Sequence, residues 1–210
     1  MLRLLAIGLI ALSGLLTAQA CDMRAETRSV ELTAYYENAT ACMQAPPEGL
    51  SFDAEIEALF LKRINRERQA AGLNPLRLRA ALRPAARFHS LDMATNTFFE
   101  HRSPDGRKAG QRIAALDRQL LSKSTAENIA QFGPVYCMDQ NKTRVSCVGV
   151  PGFALPTADQ VAKDLHEQLM DSEWHRANIL NGDSTHVAIG VVRRDTGYYE
   201  IGRASCRGKV

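Results

Sequence analysis

An excess of charge of either sign is missing from this sequence, and so is any second long apolar run after the one near its start. Its 26 basic and 23 acidic residues leave a formal charge of only +3, too weak a field to draw a protein onto nucleic acid. Basic residues are interleaved with acids along the chain, and six of them are the arginines of "NRER" (Arg66, Arg68), "NPLRLRA" (Arg77, Arg79) and "RPAARFHS" (Arg83, Arg87). Helical spacing spreads them over a solvated face. No nucleophile elbow, phosphate loop or dinucleotide fingerprint occurs. "HEQLM" at 166–170 fails as a zinc-protease motif, because Met170 stands where a second histidine is required. These absences argue against a nucleic-acid partner and a transmembrane span in the mature chain, and no conventional hydrolase can be read here. A chain of 210 residues fits one domain with appendages.

What is present begins with an export signal over residues 1–20. Arg3 supplies positive charge, Leu4 to Leu16 is almost wholly apolar, and Ala18-Gln19-Ala20 is a small-x-small cleavage site. The run is shorter than the roughly 20 apolar residues a spanning helix needs. The mature chain then starts at Cys21 and is exported, secreted or periplasmic, where disulfides are permitted. Five cysteines, Cys21, Cys42, Cys137, Cys147 and Cys206, make an odd number. Two readings stay open. Either Cys21 is lipidated and anchors the chain, leaving two bridges, although Ala18 stands where lipoprotein signals carry a large aliphatic residue. Or cleavage is ordinary and one thiol is unpaired. Cys137 and Cys147 are close enough to close a hairpin, and by elimination Cys42 meets Cys206, one of three connectivities. Asn38-Ala39-Thr40 and Asn141-Lys142-Thr143 match the glycosylation sequon.

Residues 21–52 read as an arm, in which "SVELTAYY" alternates like a short strand. "DAEIEALFLKRINRERQAAG" is a helix, with Asp53 as N-cap, Ile56, Leu59, Phe60 and Ile64 on one face, and Gly72 as stop. "RAALRPAARFHSLDMATN" is a second helix whose stripe includes His89, read as a hydrogen-bonded structural histidine. A turn at Ser103-Pro104-Asp105-Gly106 follows, and a third helix starts near Gly110. Residues 131–158 lack a period and read as a long loop. "ADQVAKDLHEQLMDSEW" is a helix, and "HVAIGVVR" and "YYEIGRAS" are paired strands. Helices first and paired strands last imply an α+β fold around an antiparallel sheet.

Polar residues stand at element boundaries: Glu100-His101, Glu127-Asn128 and His175. Spacing alone does not show that they meet. "INRERQAAGLNPLRLRAALRPAARFHSLDMATNTFFEHRSPDG", then "AENIA", "HRANILN" and "HVAIGVV", resembles the CAP superfamily in motif order. This superfamily, also called the SCP domain, includes cysteine-rich secretory, antigen 5 and plant pathogenesis-related proteins. The resemblance covers residues 53–206, leaves 207–210 as a tail, and is strongest with the compact exported bacterial form. It implies an α-β-α sandwich with a cleft in which two histidines and two acids meet and can hold a divalent metal such as zinc. By resemblance those are His101, Glu127 and His175. Where animal-type members carry a second glutamate, alignment gives Gln168 or Ser172, both neutral, while Glu173 is about 100° of helix rotation away. The resemblance leaves the biochemical activity undetermined, and the favoured reading is binding of a lipid, peptide or cell-wall component by the cleft and the 131–158 loop. The alternatives are a metal-assisted hydrolase or peptidase, with His101 and His175 on the metal and Glu127 as base, or a structural envelope module. Ser103 reads as a turn residue ahead of a nucleophile.

Overall fold

The structure, a computed structural model, describes residues 20–23, 32–116, 125–133, 136–138, 141–146, 154–195 and 199–207. The export signal up to residue 19, Cys147 and the Thr196-Gly197 turn lie outside the described residues. Both faces of strand β6 (Ser184–Arg194) are covered, which explains its unbroken apolar centre. Val187, Ile189 and Val191 face one helical layer. Ala188, Gly190 and Val192 face the other. Strand β7 (Tyr199–Arg207) pairs antiparallel with β6, and β3 (Thr125–Phe132) pairs antiparallel with β7. On the opposite edge of β6, β1 (Leu50–Phe52) pairs antiparallel and the two-residue β2 (Arg77–Leu78) pairs parallel.

One layer consists of α2 (Ala54–Ala70) and α5 (Ala158–Asp171). Asp53 caps α2 by accepting from the Ile56 amide at 3.0 Å, and Gly72, at φ +70°, lets the chain leave it. Thr157 and Gln160 form a capping box at the start of α5. Ile56, Phe60 and Ile64 meet Val161, Leu165 and Leu169 over the sheet. The other layer is α3 (Arg83–Asn96), covered by α1 (Leu32–Gln44) and α4 (Ala109–Leu116). Gly190 permits this layering, since a Cβ there would stand 2.4 Å from the Arg87 nitrogen and 2.5 Å from the Ala86 carbonyl carbon. Ser90 Oγ donates to the Gly190 carbonyl at 2.9 Å across the same contact. The fold is thus the expected α+β sandwich, with helices on both faces of a sheet that is antiparallel except for β2.

Several expectations are corrected. "SVELTAYY" is not a strand where it is described: from Leu32 it is helical, and Tyr35, Ala39 and Cys42, spaced by about one turn, are the buried apolar residues of that helix. The stretch 131–158 is not all loop, because β3 continues to Phe132 and a hairpin joins β4 (Tyr136–Met138) to β5 (Arg144–Ser146). The helix expected through Trp174 stops at Asp171. Ser172 is extended (φ −86°, ψ 122°), and α6 (Glu173–Ile179) begins afresh. The arginines are not all a solvated face. Arg68 is fully buried and donates to the carbonyls of Asn74, Ile179, Asn181 and Ser184. Arg83 and Arg87 converge on the buried carboxylate of Glu57.

The cysteine pairing also changes. Cys21 is bonded to Cys42, which displaces the Cys42–Cys206 bridge. The sulfur that a lipid anchor would modify is therefore the one in this bond. A Cys137–Cys147 bridge involves a residue outside those described. Asn38 is buried, and its amide both donates to the Asp22 carbonyl and accepts from the Asp22 amide, so in this fold it presents no glycan acceptor.

Candidate functional site

Three segments deliver the candidate residues to one place. Thr97, at φ 54°, ends α3 and turns the chain toward Glu100 and His101. The turn after them closes with Gly106 donating to the Ser103 carbonyl at 2.7 Å. Glu127 comes from β3, and His175 from the first turn of α6. Asn128, fully buried, fastens the last two together. Its Nδ2 donates to the His175 carbonyl at 3.0 Å, and its Oδ1 accepts from Asn178 Nδ2 at 2.9 Å. The "AENIA" and "HRANIL" motifs are thus two halves of one clamp.

Glu127 sits at the centre, with only 7 % of its side chain exposed. One oxygen, Oε1, accepts from His101 Nδ1 at 3.1 Å, and the other, Oε2, accepts from Arg112 at 2.5 Å. Arg112 is itself buried and also donates to the carbonyls of His101 (3.0 Å) and Arg107 (2.8 Å) and to Ser103 Oγ (3.1 Å). Since an ionised carboxylate only accepts, His101 carries its proton on Nδ1 and turns Nε2 outward. The His101 and His175 rings are 6.5 Å apart between centroids, at 64°. Beside them His101 and Glu127 line an open cleft of about 710 Å³, whose wall is Arg102, Lys108, Gly110 and Thr125. Gly110 lets α4 lie close to β3, because a Cβ would meet Thr125 Oγ1 at 3.2 Å.

Electrostatics follow from this geometry. Burial would push the Glu127 carboxyl up, but the His101 hydrogen bond and the Arg112 charge outweigh it, and the net shift is below the ordinary value. Burial, helped by Arg112, pushes His89 down to about 4, so it is neutral. Its Nε2 then donates to the Glu100 carbonyl at 3.0 Å, while Nδ1 faces Ser103 Oγ at 3.5 Å. The structural reading of His89 holds. His175 is lowered by burial and then by His101, and its Nδ1 is buried with no hydrogen-bond partner among the described residues.

The structure brings His101, Glu127 and His175 together. Gln168 is exposed on α5 and Ser172 lies in the break between α5 and α6. Neither hydrogen-bonds to the three among the described residues. Because that break interrupts the helix, the rotation that set Glu173 aside no longer applies, and Glu173 is exposed in the first turn of α6. Ser103 is buried between Arg112 and His89, out of reach of a substrate. Among the described residues no three His, Cys, Asp or Glu side chains form a metal-holding group. Sequence reasoning missed Arg112, whose only signal is its place beside Ile113 on the buried side of a short helix.

A model of the cysteine-rich secretory protein (CAP) family matches residues 61–206. A Bacillus subtilis protein, the uncharacterized protein YkwD, is 30 % identical over 128 residues, which is 61 % of this chain and 39 % of that protein. The chain therefore spans well under half of that relative's length. An outer surface protein of Borrelia burgdorferi superimposes with a TM-score of 0.56 at 15 % identity, over 76 % of this chain and 98 % of its own. A Bacillus anthracis extracellular protein containing an SCP domain gives 0.50 at 23 % identity, over 73 % of this chain and 40 % of its own. At such identities the two structures bear on the fold alone. The family match takes in the sheet's central strands, the clamp and all three cleft residues, and the chain belongs to the CAP, or cysteine-rich secretory protein, family.

Proposed function

We propose that this protein is an exported CAP domain that binds a ligand in the cleft beside His101 and His175, the ligand being a lipid, a peptide or a cell-wall component. Glu127 is the observation that carries binding over catalysis. Both its oxygens are engaged, by His101 and Arg112, and its carboxyl is held ionised. A general base works best with a pKa near the operating pH, and a carboxyl held below its ordinary value by His101 and Arg112 is a weak one. Glu127 instead orients His101, as carboxylates commonly orient a ligating or hydrogen-bonding imidazole. Export is supported by the signal at residues 1–20 and by the Cys21–Cys42 bond, which suits an oxidising compartment.

A divalent cation fits two of the residues present. His101 offers Nε2, and the unpartnered Nδ1 of His175 is a second imidazole donor. Such an ion would supply positive charge for an acidic ligand group. Two nitrogens are fewer than the three or four protein ligands of a usual zinc site, so binding should be weak. Thermal melts with zinc and with chelator test this. Zinc at about 100-fold over its Kd should add about 2.7 kcal/mol, and His101→Ala with His175→Ala should abolish the shift. An unchanged shift in that variant rules out this site. Co-sedimentation with liposomes and with purified cell wall separates the ligand classes. Hydrolysis of ester or peptide substrates by the wild type, lost in Glu127→Gln, would overturn the binding reading.

A further inference from the structure

The family match begins at residue 61, yet the support of the cleft extends outside it. The Arg107 guanidinium lies over the ring of Tyr35 on α1, its central carbon 4.4 Å from the ring centroid. Both residues are buried. Asp105 holds Arg107 from the other side, accepting from its backbone amide at 3.0 Å and from its side chain at 2.5 Å. The carbonyl of Arg107 in turn accepts from Arg112 at 2.8 Å, and Arg112 holds Glu127, which orients His101. An unbroken series of contacts thus runs from α1 to the cleft imidazole.

The arm that carries Tyr35 is itself pinned. Cys21 is bonded to Cys42. Asn38 brackets the backbone of Asp22, and Asn96 of α3 donates to the Met23 carbonyl. Tyr35 meets Phe88 of α3 edge-on, with centroids 5.2 Å apart. Its hydroxyl is buried with no hydrogen-bond partner among the described residues, and burial pushes it up, so it stays protonated. The ring, not the hydroxyl, makes the contact with Arg107.

We infer that the N-terminal arm is a working part of the cleft: Tyr35 is a positioning residue that acts through Arg107 and Arg112 on Glu127 and His101, and the Cys21–Cys42 bond keeps it in place. This rests on the reading of His101 as the group that faces the ligand.

The test compares Tyr35→Leu, Tyr35→Phe and the double variant Cys21→Ser with Cys42→Ser against Ile64→Ala, which damages the core on the far side of the sheet. Two quantities are read besides melting temperature. One is the position of the His101 imidazole signal in a proton–nitrogen NMR spectrum without metal. The other is the Kd for zinc alone. Tyr35→Leu should move the His101 signal toward that of free histidine and weaken zinc binding about threefold to tenfold, with the cysteine variant moving it in the same direction. Tyr35→Phe should match the wild type, and Ile64→Ala should melt lower with the signal unmoved. If Tyr35→Leu does not fold, the cysteine variant carries the comparison. A His101 signal unmoved in both arm variants, or moved equally in Ile64→Ala, overturns the inference. Failure of the wild type to bind zinc would count against the metal reading of the site, while the imidazole signal would still decide the role of the arm.

Discussion

Arg112 holds four acceptors with one guanidinium, and its loss would be felt by each of them. Arg112→Met keeps much of the volume but leaves the buried carboxylate of Glu127 without its cation. Breaking one side of a buried pair costs about 3–5 kcal/mol, and urea unfolding should show a loss of that order. Arg112→Lys keeps the charge without the planar fork and should lose less. Stability should also depend on pH through His89. Its pKa is about 4 in the fold and 6.5 ordinarily, so between those values the unfolded chain binds more protons. The contribution is therefore complete above pH 6.5 and is lost as pH falls toward 4. A lowering of that size corresponds to roughly 3 kcal/mol. Glu127, also lowered, acts in the same direction at more acid pH. Urea midpoints measured from pH 4 to 7 should rise with pH, and His89→Gln should flatten that rise. At this scale the sequence was half legible. His89 sat on an apolar stripe, so its burial could be read. Arg112 and Arg68 could not, because only the folded chain shows which carbonyls a guanidinium meets.

Elements with a strong period and a cap were readable, as were the paired strands β6 and β7, while the edge strands β1, β2 and β3 were not. Helix α2 announces itself through Asp53, its apolar stripe and Gly72. Strand β3 does not, because its eight residues owe their conformation to pairing with β7 rather than to alternation. The short alternation in "SVELTAYY" misled for a related reason: five residues at period 2 weigh less than the turn-by-turn burial of Tyr35, Ala39 and Cys42. At α5 and α6 the chain breaks at Ser172, which no proline or glycine marks. Gly190 shows how tightly two elements can depend on one missing methyl. Gly190→Ala would drive a Cβ into the α3 backbone at Ala86 and Arg87, where no flexible side chain can yield. Overpacking of this kind costs typically about 1–3 kcal/mol and can exceed it. Gly182→Ala, whose Cβ would meet only a Leu73 methyl at 3.6 Å, should be nearly neutral. Thermal melts of the two variants side by side would check the contrast.

On the scale of the whole molecule, the boundary suggested by the family match is not the boundary of the folded unit. The match starts at residue 61, but Tyr35, Ala39, Cys42 and Met23 form one buried cluster with Phe88, Leu91 and Ala94 of α3 and Val192 of β6. A chain beginning at Asp53 would expose the outer face of α3. Phe88 and Leu91 alone are each worth about 1.5–3 kcal/mol of burial, which is a large share of the roughly 5–15 kcal/mol that typically separates folded from unfolded. Breaking the Cys21–Cys42 bond is a smaller insult, because the arm can still dock. The bond spans a sequence separation of 21, for which loop-closure entropy gives about 3 kcal/mol. The expected order in urea is therefore wild type, then Cys21→Ser with Cys42→Ser, then the chain lacking residues 1–52. The shortened chain should also bind a dye for exposed apolar surface, and the cysteine variant should not. Equal stability of the shortened chain and of one that keeps residues 21–52 would mean that α1 only rests on the sandwich, and that the CAP fold here forms without it.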